Sequence, residues 1–223
     1  MLWLLFSGIC CCLAVREVVR RWIPREGYER PDSTPVSKAY LGIMCALAFA
    51  FAFKPIQTWQ FERFLSARAK LLAESPKATV HCNTVFDTFF DSNSLAAGHA
   101  TPETGRIVLQ YPWCKRLREH LADPNSSNRL GIFSVQLFVH ETMHIRGEMN
   151  EARTECQAIQ RHYRGAKLMG IPAELARHGA LSYYNNDYKR RSGIDGLGGQ
   201  YFTEHCAPGR ALDENLPDSS WNN

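Results

Sequence analysis

The sequence predicts a mixed α+β domain carried behind N-terminal membrane helices, and three observations predict it. Two apolar runs near the start, 1–15 and 39–53, are followed or framed by basic residues. Residues 79–90, rich in Val, Thr and Phe, and the run Ile107-Val108-Leu109 have the composition of strands, whereas the second half of the chain is helical by period. A chain of 223 residues with 45% apolar content holds one sizeable core and little more.

The first run, 1–15, is broken only by Ser7 and Gly8 and leads into Arg16, Arg20, Arg21 and Arg25. The second, 39–53, lies between Lys38 and Lys54. Both are shorter than the ~20 residues that usually span a bilayer, but snorkelling basic flanks and aromatics such as Trp22 and Tyr40 extend their reach. Two membrane helices are the first reading; a signal-peptide core and a buried core helix compete with it, although no small-x-small cleavage site follows either run. The positive-inside rule keeps the 16–38 connector in the cytoplasm and puts everything after Lys54 outside. The expected organisation is an anchor over 1–55, a juxtamembrane helix over 56–76 and a folded domain over 77–223.

Within 57–74, Trp59, Phe61, Phe64, Leu65, Ala69, Leu71 and Leu72 suit an amphipathic helix that Ser75-Pro76 ends. Residues 79–90 alternate weakly, 96–104 with Pro102 and Gly105 read as a turn, and 106–111 as a strand. A short helix over 114–122 is ended by Asp123-Pro124-Asn125. Helices over 150–168 and 173–189 are separated by Gly170-Ile171-Pro172. Lys189-Arg190-Arg191 reads as a solvated helix end, Arg146 and Glu148 as surface pairing residues, and the polar tail 213–223 as loosely held. There are no repeats, no phosphate-cradling glycine motif and no basic aromatic stripe, so a nucleic-acid partner is not expected. A net charge of +4 is too small to select an acidic partner over an anionic membrane surface.

Cysteine usage bears on the compartment. Cys10, Cys11, Cys12 and Cys45 lie in the apolar runs and read as packing or lipid-facing residues. Cys82, Cys114, Cys156 and Cys206 form an even set without a CxxC pair, which favours disulfides in an oxidising compartment over a structural zinc site. Of three possible pairings, Cys82 with Cys114 and Cys156 with Cys206 is the favoured one. The second bond would tie the C-terminal segment to the helix that follows the motif described next.

His140-Glu141-Thr142-Met143-His144 is the most informative stretch. Helix positions i and i+4 stack on one face, so both imidazoles can reach a single ion, and Glu141, rotated about 100° from His140, can serve as a general base toward water. Ser134 is a plausible N-cap, and Val135, Leu137, Phe138 and Val139 make an apolar approach. The competing reading is a pair of hydrogen-bonded histidines on an amphipathic helix. A catalytic zinc takes three protein ligands, so a third is needed. On an unbroken helix Glu151 would lie about 10 Å beyond His144. Gly147 offers the escape, because a glycine in the left-handed region can end the helix and let the chain double back into a second one over 150–160. Glu151 would then face the metal, and Glu155 could ligate instead or hold a ligand imidazole from behind. Cys156 is a further possible thiolate ligand. Tyr183, Tyr184 and His205 are candidate donors to a tetrahedral oxyanion, with amphipathic packing as the bland alternative.

These residues resemble the zincin metallopeptidases, and more narrowly the gluzincin type, in which HExxH is followed by a glutamate on a later helix. Asn150-Glu151-Ala152 with Glu155 is similar to the thermolysin-like arrangement, and the resemblance implies Glu151 as ligand and Glu155 as buttress of a histidine. The gap from His144 to Glu151 is shorter than in that arrangement and closer to the metzincin pattern HExxHxxGxxH, with Gly147 as turn glycine. There Asn150 would take the third-histidine place, and a neutral amide is a poor zinc ligand, so Glu151 is preferred. From Lys77 onward the chain also resembles a group of actinobacterial membrane-anchored HExxH proteins that end in features similar to Cys206, Gly209, Leu212-Asp213 and Trp221. The resemblance implies a zincin-like α+β domain at the cell membrane, facing outward, with Zn2+ as cofactor, Glu141 as catalytic residue and a peptide or protein as substrate. In zincins an edge strand above the site pairs with extended substrate; residues 106–110 are the candidate, an ordinary sheet strand the alternative. An envelope interaction protein with a structural or absent metal, and a hydrolase of a non-peptide amide, are the other function classes left open.

Overall fold

The computed structural model describes residues 2–20, 36–126, 128–192 and 199–221; Arg21, Trp22 and Arg25 of the basic connector lie outside the described residues. The chain divides into two compact units, Met1–Gln60 and Phe61–Asn223.

In the first unit, α1 (Leu2–Val19) lies beside the opening part of α2 (Lys38–Ala73). The Ser7 hydroxyl donates to the Ala48 carbonyl at 2.9 Å, Phe6 stacks near Phe51 at 5.6 Å, and the Ser37 amide donates to Glu17 at 3.3 Å. The pairing runs in opposite directions along the two helices, so they are antiparallel. Leu4, Leu5, Ile9, Ile43, Phe49 and Phe53 face outward. Among the described residues, α2 is the one helix long and apolar enough to cross a membrane by length and composition. The apolar run 39–53 and the amphipathic stretch 57–74 are not separate helices. They form one helix of 36 residues that continues through Pro55, which removes the bond to the Phe51 carbonyl without ending the helix.

From Phe61 onward α2 is a core helix of the second unit, burying Leu65, Ala69, Leu72 and Ala73. Three short strands follow: β1 (Thr79–Cys82), β2 (Gly98–Thr101) and β3 (Arg106–Leu109), in the order β1-β3-β2. β1 runs parallel to β3, with Val80 opposite Ile107, and β2 runs antiparallel to it, with Gly98 opposite Leu109. The strand expected at 106–111 is therefore present but central. The edge positions fall to β1 and β2; β2 lies inside the segment read as a turn, because Gly98-His99-Ala100-Thr101 carries one β-branched residue and little strand signal. The extended reading of 79–90 holds only as far as Cys82. Thr84 then caps α3 (Val85–Phe90) through a capping box with Asp87.

Four longer helices complete the unit: α4 (Tyr111–Ala122), α5 (Arg129–Arg146), α6 (Glu151–Leu168) and α7 (Ala173–Tyr183). α5 is buried along nearly its whole length, packed on α4, α6, α7 and the sheet. Its N-cap is Asn128, whose side chain accepts from the Leu130 amide at 3.0 Å. Ser134 lies inside the helix, where its hydroxyl donates to the Leu130 carbonyl at 2.7 Å. The helix expected over 173–189 stops at Tyr183; a wide π-turn (Tyr184–Tyr188) and a tight turn (Lys189–Arg191) replace its end. The described tail is held rather than loose: Ser219 and Ser220 are buried, the Ser220 amide donates to the Gln160 carbonyl at 3.0 Å, and Trp221 packs on Tyr184. Cys82 is bonded to Cys114 and Cys156 to Cys206, the favoured pairing.

Candidate metal centre

α5 carries His140 and His144 on one face and stops within one turn of them. Gly147, at φ 114° and ψ 4°, closes the helix: its amide donates to the His144 carbonyl at 3.0 Å, and the Glu148 amide donates to that of Met143 at 3.2 Å. This pair of bonds is a Schellman closure, and the left-handed conformation is the reason glycine is there. The chain reverses through Glu148 and Met149 to Asn150, which caps α6 by accepting from the Arg153 amide at 3.0 Å. Glu151 is thereby delivered in the first turn of α6, facing α5.

Both imidazoles converge on one carboxylate oxygen. Glu151 Oε2 lies 3.1 Å from His140 Nε2 and 3.6 Å from His144 Nε2. One ligand atom from each of the three residues falls within 4.8 Å of the others, an arrangement that could hold a metal ion. The second nitrogens are committed elsewhere: His140 Nδ1 pairs with Glu155 Oε2 at 2.7 Å, and His144 Nδ1 with the Glu148 carbonyl at 2.8 Å. Because each of these partners is an acceptor, each Nδ1 carries a proton, and Nε2 is the nitrogen left to coordinate a metal once the proton that His140 shares with Glu151 is displaced. Two imidazoles and one carboxylate form a donor set that first-row divalent metals accept.

Electrostatics at the site follow from burial and close pairing. Burial pushes the Glu141 carboxyl up to about 7, against the pull of the two histidines. Burial opposes a charge on His140, yet its hydrogen bonds to Glu151 and Glu155 win and raise it to about 10. Hydrogen bonds from His140 and His144 hold the Glu151 carboxyl down at about 2. Gly98, the first residue of the edge strand β2, lies directly against the Glu141 side chain.

Behind His140 sits a buried polar group. Glu155, 2% exposed, accepts from His140, from Arg191 at 3.1 Å and from the Tyr183 hydroxyl, which in turn accepts from Arg191 at 2.8 Å. Burial opposes ionisation of Glu155, but His140, Arg191 and Tyr183 together keep it below the usual carboxylate range. Tyr183 is thus occupied with Glu155. The Tyr184 hydroxyl donates to the Cys206 carbonyl at 3.3 Å, and His205 is exposed on a turn. The hydrogen bonds of these three candidate donors do not reach the ligand groups. Cys156 is bound in its disulfide and does not ligate.

Two residues at the site escaped sequence reasoning. Arg191, read as a solvated helix end, turns inward because the π-turn rotates the chain after Tyr183. Tyr201 brings its ring to 5.6 Å from that of His140, and the Arg191 guanidinium lies 5.5 Å from the same tyrosine ring. No periodicity or spacing marks either residue, because both come from an irregular segment. Arg146 and Glu148 form the expected surface pairs, with Glu74 at 2.7 Å and Arg153 at 4.0 Å, and Glu148 also contributes its carbonyl to His144 and its carboxylate to the Met149 and Asn150 amides at 3.1 and 3.0 Å. Compared with family models, curated proteins and solved structures, the chain has no match in any of the three.

Proposed function

We propose that this protein is a membrane-anchored zinc hydrolase of the zincin type that cleaves peptide bonds outside the cytoplasm. The observation that carries the reading is the meeting of His140 Nε2, His144 Nε2 and Glu151 Oε2 beside the buried carboxyl of Glu141. Zinc held by the three ligands supplies Lewis acidity, lowering the pKa of water and polarising a carbonyl oxygen. Glu141 takes a proton from the attacking water and passes it to the leaving amine, a role suited to a carboxyl whose hold on a proton is strengthened by burial. Glu155, fixed by Arg191 and Tyr183, holds the His140 ring in its ligating tautomer. β2 begins against Glu141 and has an unpaired edge in the sheet order, which suits an extended polypeptide lying beside it. Tyr201 packs its ring on the His140 side of the ligand group.

A structural metal would require a fourth protein ligand. Its two sequence candidates are engaged, Cys156 in a disulfide and Glu155 with Arg191 and Tyr183, which favours the catalytic reading. The two disulfides and the apolar helix α2 support an anchored domain in an oxidising compartment. The test is Glu141→Gln in the full chain, assayed on a peptide library alongside metal analysis. Zinc content should be unchanged and turnover should fall about 10²- to 10⁴-fold, the usual contribution of a positioned base. Undiminished turnover in that variant would overturn the assignment.

A further inference from the structure

Among the described residues of the second unit, large apolar side chains such as Leu71, Leu130 and Met149 are exposed singly, but at one place they are exposed as a cluster. Val85, Phe86, Phe89 and Phe90 of α3 are 61%, 74%, 78% and 70% exposed, and Leu95 in the loop beyond is fully exposed. The Phe86 and Phe90 rings lie 5.2 Å apart and those of Phe89 and Phe90 5.1 Å, making one continuous aromatic surface. The segment is firmly held in this posture. Thr84 and Asp87 close a capping box, and Asp91 accepts from Asn83 at 2.8 Å, Gln110 at 3.1 Å and the Asn93 amide at 2.8 Å. The Tyr111 amide donates to Thr88 at 2.9 Å. Its polar groups serve the fold while its apolar groups face outward, the reverse of a helix built for water. Patches of this kind mark contact with a protein or a membrane.

Charge and tethering narrow the partner. No lysine or arginine occurs between Lys77 and Arg106, and Asp87 and Asp91 are spent on local hydrogen bonds, so the surface offers nothing to a charged partner. Six residues separate Lys54, at the end of the apolar run in α2, from Phe61, where the second unit begins; even fully extended they reach no further than about 25 Å. If α2 crosses the bilayer, the domain is confined to the vicinity of the lipid, at a high effective concentration. We propose that Val85, Phe86, Phe89, Phe90 and Leu95 form a second membrane contact, seated in the boundary between headgroups and acyl chains, that docks the domain on the bilayer. This rests on the anchored part of the function proposed above and is independent of the metal chemistry.

The full chain, reconstituted in phosphatidylcholine vesicles with a diazirine on the acyl chain, tests this. After illumination, reduction and trypsin digestion, peptide 39–63 reports the anchor and peptide 78–106 reports the patch. Both should carry lipid. In the triple variant Phe86→Ser, Phe89→Ser, Phe90→Ser, labelling of 39–63 should persist while that of 78–106 falls tenfold or more, since each buried phenylalanine is worth on the order of a tenfold factor in transfer. Because the patch lacks basic residues, added salt or anionic lipid should change its labelling less than about twofold. Labelling of 39–63 without 78–106 overturns the docking surface alone; absence of both overturns the anchor and the surface with it. Labelling of 78–106 that disappears as the protein-to-lipid ratio rises assigns the patch to a second copy of the chain and also overturns the proposal.

Discussion

Replacing Gly147 with alanine separates two things that the reversal after α5 does at once. An added methyl meets nothing within 4 Å, so the cost is conformational rather than steric. A φ of 114° lies outside even the small left-handed well near +57°, and holding a non-glycine residue there costs about 1–3 kcal/mol. For a unit of this size each kcal/mol lowers the unfolding midpoint by about 2–4 °C, so a decrease of roughly 2–12 °C is expected. Relaxing the strain would move α6 against α5, and a carboxylate now 3.1 and 3.6 Å from its two imidazoles has little room to shift, since ligand positions tolerate only about 0.2 Å. Zinc affinity should therefore fall at least about tenfold, in the range seen when ligand-supporting groups are disturbed. Thermal unfolding of the detergent-solubilised full chain, with and without zinc, and titration against a competing chelator measure both effects. An alanine variant that melts within 1 °C of the parent and keeps its zinc affinity would refute the claim that this glycine delivers Glu151.

Two further outcomes follow from the same site. His140, raised to about 10, holds a proton at neutral pH that a metal must displace, whereas Glu151, held at about 2, does not. Metal binding should release at least one proton per site, and affinity should climb as pH rises toward 10; calorimetry in buffers of different ionisation enthalpy checks this, and pH-independent binding without proton release would contradict it. Cys156→Ser with Cys206→Ser opens a bond that spans 50 residues and is worth about 4 kcal/mol by chain entropy. Because the segment it restrains carries Arg191 and Tyr201, that variant should lose more zinc affinity than Cys82→Ser with Cys114→Ser, whose bond spans 32 residues on α4 and β1. Equal zinc affinities in the two variants would count against the role assigned to that segment.

The parts of the site that were legible in the sequence are those fixed by local geometry. The spacing of His140 and His144 is a helix property, Gly147 and Asn150 are end signals, and Glu151 follows once the reversal is granted. What resisted reading depends on distant partners. The sheet order places β3 between β1 and β2 through pairings that no strand encodes by itself, so the apolar run 106–110 carries no mark of its central position. Asn128 caps α5 six residues ahead of Ser134, because Leu130, Ile132 and Phe133 extend the apolar face of the helix toward its start. The inward turn of Arg191 depends on a π-turn, and that of Tyr201 on an irregular segment tied by Cys206 to α6; neither leaves a periodic trace. α3 was missed because Thr84 to Phe90 mixes β-branched and aromatic residues, and only its Thr-x-x-Asp start betrays a helix.

Gly98 sets how closely β2 approaches both β3 and α5. A side chain there would collide with the Val108 carbonyl at 2.9 Å and press on Glu141 at 3.4 Å, prising the sheet away from α5. The gap between strand and helix is thus gauged by bare main chain. Any side chain at this position therefore sets the pairing of β2 with β3 against the station of the Glu141 carboxyl.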